Sequence, residues 1–447
     1  MIAVHPNLYE VEQASALQRR LYRTLRETMR AMAGRISGVA DWEAKKLLAR
    51  HIWLDSEHAD LVRSRVLELR FPRVDVDLAV DASLIAVLEK LPSTNSDEEF
   101  LSGIYQVVKP AVLEAVVNYL KQSDPLDDAP SHRALAIVAT ELRDELAAFG
   151  PWWASRSAAA RAAAEAWCDW LDEAIVHAGG IFGRDSGADL LETPGFSDRP
   201  RYEIAPMPAR DPRWLPAVTQ VPPRPPRTPQ EQQVWVAIDH VNELWACELP
   251  AAFIWHFPNM AWSLYRDTAR WAYDEMRHAM MGERRLLAYG FEVGVDVPMV
   301  PDHWVGICAK RGMEAMLFAV HGLEQGGPKW KSALKEELWK MGDPYSSQDC
   351  DYDWADEAGH IRYGQDWLKA IFPETPKSEL IRRTQEEVAL WKQWIAGAHL
   401  SGNHGYDLFL ERIEAKCRRM PALMNPEHFQ PLGSSAATAS YGTVGRV

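Results

Sequence analysis

Two short segments constrain this chain more than any other part of it. They are Asp274-Glu275-Met276-Arg277-His278 and, about eighty residues later, Asp356-Glu357-Ala358-Gly359-His360. Both have the form Asp-Glu-x-x-His. Residues three apart lie on one face of a helix, so the Glu and His of each segment aim at a common point. Two such helices, joined by one Glu from each of two more, build a dinuclear carboxylate centre inside a four-helix bundle. The motif therefore asks for an all-α fold and for two further glutamates upstream.

The rest of the sequence is compatible with that demand. With 447 residues, 47% of them hydrophobic, the chain can fill two cores. A net charge of −14 argues against nucleic acid or an anionic membrane as partner. The five cysteines are scattered, with no Cys-x-x-Cys, which argues against a zinc ribbon or a disulfide framework and fits a reducing cytoplasm. Met1–Glu12 has no basic-then-apolar signal pattern, and no apolar run reaches the roughly 18 residues of a membrane span. The expected localisation is cytoplasmic.

Helical periodicity dominates throughout. Helices are expected from Glu10, over Trp42–Leu69, over Asp97–Gln122 despite Pro110, over Ser131–Phe149 with a stop at Gly150-Pro151, and over Ala154–Ala178. This first stretch, 1–178, reads as a helical domain. Residues 179–228 are crowded with prolines and read as a connector. Thr228-Pro229 then opens helix A, an N-cap followed by proline in the first turn, running to Trp255 with a kink expected at Pro250. Helix B covers Ala261–Tyr289, helix C His303–Gln325 and helix D Ser346–Ile371, with further helices to Arg419. The second domain spans 229–423, and 424–447 reads as a flexible tail.

A weak repeat links the halves. Residues 50–67 align without a gap on 270–287 at an offset of 220 (270 − 50), which sets Asp55 on Glu275 and His58 on His278. The counterpart of the second motif falls near Glu141-Leu142-Arg143-Asp144, which lacks a histidine. The expectation is a duplicated bundle unit whose first copy is degenerate.

Level arguments select the two missing glutamates. Antiparallel helices A and B turn near Pro258, and the midpoint of Glu243 and Glu275 is 259, against 261.5 for Glu248 and Glu275. Glu243 is favoured and Glu248 remains the alternate. On helix C, Glu324 precedes Glu357 by 33 residues (357 − 324), close to the 32 between Glu243 and Glu275 (275 − 243). His321, one turn before Glu324, is an alternate ligand, a donor behind the ligands, or an ordinary buried histidine. Asp274 and Asp356 are placed to accept the free ring N–H of the opposite helix's histidine. Glutamate oxygens and neutral imidazoles suit iron and manganese.

Asp274-Glu275-Met276-Arg277-His278 resembles the Asp-Glu-x-Arg-His signature of the ferritin-like di-iron carboxylate superfamily, which includes multicomponent monooxygenase hydroxylases and the small ribonucleotide reductase subunit. The second segment departs from it, with Gly359 in place of arginine. The resemblance covers about residues 229–371. It implies a ferritin-like four-helix bundle with Glu243, Glu275, His278, Glu324, Glu357 and His360 as ligands to two iron ions, or iron and manganese, and O2 as co-substrate. The expected activity is that of an O2-dependent oxidoreductase, a monooxygenase or oxidase of a small organic molecule. No glycine-rich nucleotide motif is evident, so electrons would come from an external reductase or ferredoxin. A homodimer is the base-rate expectation. Two other readings stand beside it: ferroxidase or metal handling, and a helical interaction protein without catalysis. Trp245, Trp271, Tyr273, Trp354 and Tyr363 near the motifs would suit an apolar pocket or the bundle core.

Overall fold

The computed structural model describes residues 8–69, 76–77, 81–216, 225–293, 295–296, 298–299, 303–400 and 407–429. Among them the fold is all-α, apart from a two-residue parallel pair, β1 (Leu215–Pro216) with β2 (Pro298–Met299). The chain divides into two compact units. The first holds Met1–Ile36, Glu43–Ile204 and Ala261–Arg266, and the second Ser37–Trp42, Ala205–Met260 and Asp267–Val447.

The first unit contains α1 (Val11–Arg35), nearly all of α2 (Trp42–Glu68), α3 (Ala82–Leu88), α4 (Asp97–Ser102), a π-turn (Gly103–Val108), α5 (Lys109–Gln122), α6 (Ala129–Ser155) and α7 (Ala158–His177). Ile52, Ala59 and Val62 of α2 and Val138 and Leu142 of α6 are buried at helical spacing, and α1 is buried on all sides from Arg20 to Gly34. Helix α3 is an addition to the sequence reading. Two further local features differ from it. Helix α6 runs through Gly150-Pro151 instead of stopping there; a residue before proline resists the helical region largely through its Cβ, and Gly150 has none. The helix of residues 97–122 is interrupted by the π-turn just before Pro110, which absorbs the N–H that proline lacks. Asp97–Gln122 is long and apolar enough to cross a membrane by composition, with 61% of its most apolar window buried inside the fold.

The second unit contains α8 (Pro229–Asn242), α9 (Leu244–His256), most of α10 (Trp262–Ala288), α11 (His303–Glu324), α12 (Gly327–Met341), α13 (Pro344–Ile371), α14 (Lys377–Leu400), α15 (Asp407–Cys417) and a 3-10 turn at Pro426–His428. Thr228 caps α8 through its side chain, which accepts from the Glu231 N–H. Helix α13 is packed by α11, α12 and α8, and α11 also by α9 and α14. Val236, Leu334, Leu338, Met341 and Cys350 form one buried cluster. Helix A of the sequence reading is two helices. The break is at Glu243, not at Pro250, which lies inside α9. The Glu243 N–H bonds His240 O, three residues back, at 3.0 Å, a tightened turn that marks the change of axis. Helix α11 is kinked at Gly312, whose φ of 79° belongs to the left-handed region glycine tolerates. The expected tail lies outside the described residues from 430 onward.

Candidate metal centre

Helices α10 and α13 present their Glu-x-x-His faces toward each other. Glu275 and His278 come from α10, Glu357 and His360 from α13, Glu324 from the last turn of α11, and Glu243 from the joint between α8 and α9. The side chains meet in overlapping groups, two of which together hold all six. Ligand atoms of Glu243, Glu275 and His278 lie within 4.8 Å of one another, as do those of Glu275, Glu324, Glu357 and His360. Glu275 belongs to both. Its Oε2 is 3.4 Å from His278 Nδ1 and its Oε1 is 3.0 Å from His360 Nδ1, so one carboxylate lies between the two imidazoles. All six residues predicted from the sequence are thus brought together.

The alternates are not. Glu248 is fully buried elsewhere, with Oε1 accepting from Arg210 Nη1 at 2.8 Å. His321 rests against the Cα of Gly364, where an added Cβ would lie 2.7 Å from its Nδ1, and its Nε2 is 3.0 Å from Gln325 Nε2. Burial pushes its imidazole down to about 4. It is a neutral buried histidine. Replacing Glu248 with Gln should therefore leave metal content unchanged and strand the Arg210 charge, at a cost of about 3 kcal/mol, the lower end for a broken buried pair. Metal analysis beside a denaturant titration checks this; loss of metal in the Glu248→Gln variant would return Glu248 to the ligand set.

The aspartates sit behind the histidines. Asp356 Oδ2 is 3.2 Å from His278 Nε2, and Asp274 Oδ2 is 3.8 Å from His360 Nε2. Arg277 Nη1 donates to both, to Asp274 Oδ1 at 2.5 Å and to Asp356 Oδ2 at 3.0 Å, while Arg270 Nε adds a bond to Asp274. One arginine thus serves the aspartates of both motifs, which gives a physical reason why Gly359 can stand where the second arginine would. Trp271 Nε1 donates to Glu275 Oε1 at 3.1 Å.

Three participants escaped the sequence reading. Asp353, fully buried, accepts from His240 Nε2 at 2.9 Å and from Lys331 Nζ. Lys331 also donates to Glu243 Oε1 at 2.6 Å. The other Asp353 oxygen, Oδ1, has no hydrogen bond and is 3.9 Å from His278 Nδ1. Asp353 lies one turn before Glu357 and His240 one turn before Glu243, so helical spacing could have found them. Lys331 is on α12, and nothing local announces it.

The residues fit a pair of cations on two grounds. First, Glu243 Oε2, Glu357 Oε2 and His278 and His360 Nδ1 are buried with no hydrogen-bond partner, although buried polar atoms are nearly always satisfied. Second, the protonation pattern substitutes for positive charge. Burial opposes charging either histidine, yet Asp353 and Asp356 hold His278, and Glu275 and Asp274 hold His360, well above the usual imidazole range. Burial would raise Glu275, but His360 and His278 bring it down to about 2. Burial, with Glu324 and Glu275 adding to it, holds Glu357 well above the carboxylate range.

A signed pH dependence follows. Metal needs neutral imidazole and ionised carboxylate, so uptake at neutral pH must release protons from His278, His360 and Glu357, and affinity must rise with pH. For the metal-free protein, the two raised histidines contribute stability fully below the unfolded value near 6.5, and that contribution fades as pH climbs through their raised folded values. A weakly buffered metal titration should show release of about two to three protons per chain; metal uptake without proton release would contradict the assignment.

A cavity of about 60 Å3 reaches the carboxylates, lined by Glu243, Glu275, Glu324 and Glu357 with Trp245, Trp330 and Lys331. That is room for a few water-sized molecules, well below the roughly 300 Å3 of an ordinary ligand pocket. Of the aromatic residues singled out in the sequence, Trp245 lines it; Trp354 is exposed, and Trp271 is core.

With this geometry in hand, comparison with known proteins gives one result. A family described as "Protein of unknown function (DUF455)" matches residues 152–397, more than half of the chain and inclusive of all six clustered residues. No curated protein matches, and no solved structure does.

Proposed function

We propose that this chain, which belongs to that family of proteins of unknown function, is an O2-dependent oxidoreductase. Its second unit would be a ferritin-like four-helix bundle that holds two iron ions, or iron and manganese. The observation that carries the reading is the pair of ligand groups sharing Glu275, with unpartnered Glu and His atoms converging on each. Glu243, Glu275 and His278 would hold one ion; Glu275, Glu324, Glu357 and His360 the other. When bound, such a pair supplies two-electron redox chemistry toward O2.

The protein's own side chains would do the rest. Asp356 would fix the ring orientation of His278 so that Nδ1 faces the centre, and Asp274, 3.8 Å from His360 Nε2, stands behind the other ring. Four glutamates offset the charge of two divalent ions, which makes their burial tolerable. Lys331 keeps a proton on Nζ in the cavity wall, where burial is outweighed by Asp353 and Glu243 and its ammonium is held well above its ordinary range. An external electron donor completes the cycle.

The test is O2 uptake by the ferrous-loaded protein with a chemical reductant and a panel of small organic molecules. Uptake that rises with one substrate and yields an oxidised product is expected. Continued iron accumulation far beyond two per chain, without any organic product, would favour ferroxidase function instead.

A further inference from the structure

The first unit contains a second buried polar cluster that the proposed reaction does not use. Asp55 and His58 of α2, Lys109 at the start of α5, and Glu141 and Glu145 of α6 form it; all but Glu141 are fully buried. Lys109 Nζ donates to both Asp55 oxygens, at 2.7 and 2.8 Å, and to Glu145 Oε2. His58 Nε2 is 2.7 Å from Glu141 Oε2, and His58 Nδ1 is 3.7 Å from Asp55 Oδ1.

This cluster maps onto the metal centre residue by residue. Asp55 and His58 precede Glu275 and His278 by 220 (275 − 55; 278 − 58). Lys109, Glu141 and Glu145 precede Glu324, Asp356 and His360 by 215 (324 − 109; 356 − 141; 360 − 145). Geometry agrees with the register. Glu141 meets the far ring nitrogen of His58 as Asp356 meets that of His278. The sequence places the counterpart of the second motif only near Glu141-Leu142-Arg143-Asp144; the hydrogen bond sets Glu141 on Asp356, and the partner of Glu357 is then Leu142, which is fully buried. Two carboxylates of the centre have thus been exchanged, Glu324 for a lysine and Glu357 for a leucine. The π-turn Gly103–Val108 ends at the residue before Lys109 and sets the direction from which its side chain enters.

We propose that the first unit is a metal-free copy of the centre, in which the Lys109 ammonium occupies the cation position, and that removing this ammonium uncovers a latent divalent-cation site on Asp55, His58 and Glu145. Ligand atoms of these three already lie within 4.8 Å of one another. Two of the polar atoms, His58 Nδ1 and Glu145 Oε1, are buried without a hydrogen-bond partner, so the copy retains coordinating atoms that lysine does not satisfy. An ammonium is a single positive charge with three donors, enough to bond both carboxylates but to offset only one of their charges, and short of a metal's coordination number. The cluster lies outside the residues matched by the family.

The experiment is metal content per full-length chain after equilibration with Co2+ and removal of the excess. Lys109→Met, which keeps length and loses charge, should hold one ion more than wild type. Lys109→Met/His58→Ala should fall back to the wild-type number. Because only the increment is read, the result is independent of whether the second unit binds two ions, one or none. Should Lys109→Met be unfolded without metal, Co2+ should restore its circular dichroism. A folded Lys109→Met with no increment, an unfolded one that Co2+ does not rescue, or a His58→Ala single variant that loses metal relative to wild type would each overturn the proposal.

Discussion

Substituting Glu275 with Ala should empty both metal positions, whereas substituting Glu324 with Ala should empty one. The difference follows from where the carboxylates stand. Glu275 directs one oxygen toward each of the two imidazoles, 3.4 Å from His278 Nδ1 and 3.0 Å from His360 Nδ1, and belongs to both ligand groups. Glu324 belongs to the His360 group alone among the described residues. Loss of Glu275 removes a shared anion from a fully buried site, where charge cannot be replaced by water. Removing a partner that merely orients a ligand costs roughly 10–100-fold in metal affinity, and loss of a shared ligand should exceed that for both ions. Metal analysis after gel filtration should read near zero for Glu275→Ala and about one for Glu324→Ala. Equal retention by the two variants would remove the shared-carboxylate arrangement.

Asp353→Asn should be the most destabilising polar substitution in the second unit. Asp353 holds Lys331 and His240, both buried, and the three form a network with Glu243. Burial alone would raise the Asp353 carboxyl, but Lys331 and His278 hold it far below the carboxylate range. The amide keeps the shape and removes the charge, which leaves the buried Lys331 ammonium with Glu243 as its remaining carboxylate partner. Breaking such a pair costs about 3–5 kcal/mol, equivalent to a fall in thermal midpoint on the order of 10 °C for a unit of this size. Lys331→Met alone should cost as much, and the double variant less than the sum, because each single change strands the other partner. Additive losses in a double-mutant cycle would show that the two do not act as a pair.

How much of this was legible beforehand depends on the range of the interaction. The Glu-x-x-His pairs are local, set by three-residue spacing on a single helix, and the turn at Pro258 made Glu243 the better level match to Glu275 than Glu248. Glu324 came from the same arithmetic. The sequence could not show that helix A breaks at Glu243, because the tightened turn there is a matter of which carbonyl the N–H reaches. Lys331 was invisible for another reason: its partners lie on α8 and α13, and a buried ion pair leaves no periodic trace in either segment. Lys109 was hidden similarly. The repeat was visible in Asp55 and His58, but a lysine opposite a glutamate does not look like a correspondence until Asp55 and Glu145 are seen gripping it. Gly150-Pro151 misled because it reads as a stop, although a glycine before proline removes the Cβ clash by which proline disfavours helix at the residue before it.

The measurement that tests the central claim most directly is iron per chain after anaerobic ferrous reconstitution of the wild-type protein and removal of unbound metal. The account predicts about two ions per chain, as a dinuclear carboxylate centre requires, with protons released as they bind. A chain that retains no stoichiometric metal under these conditions would contradict it, and the paired motifs would then be a buried polar network like the one around Lys109.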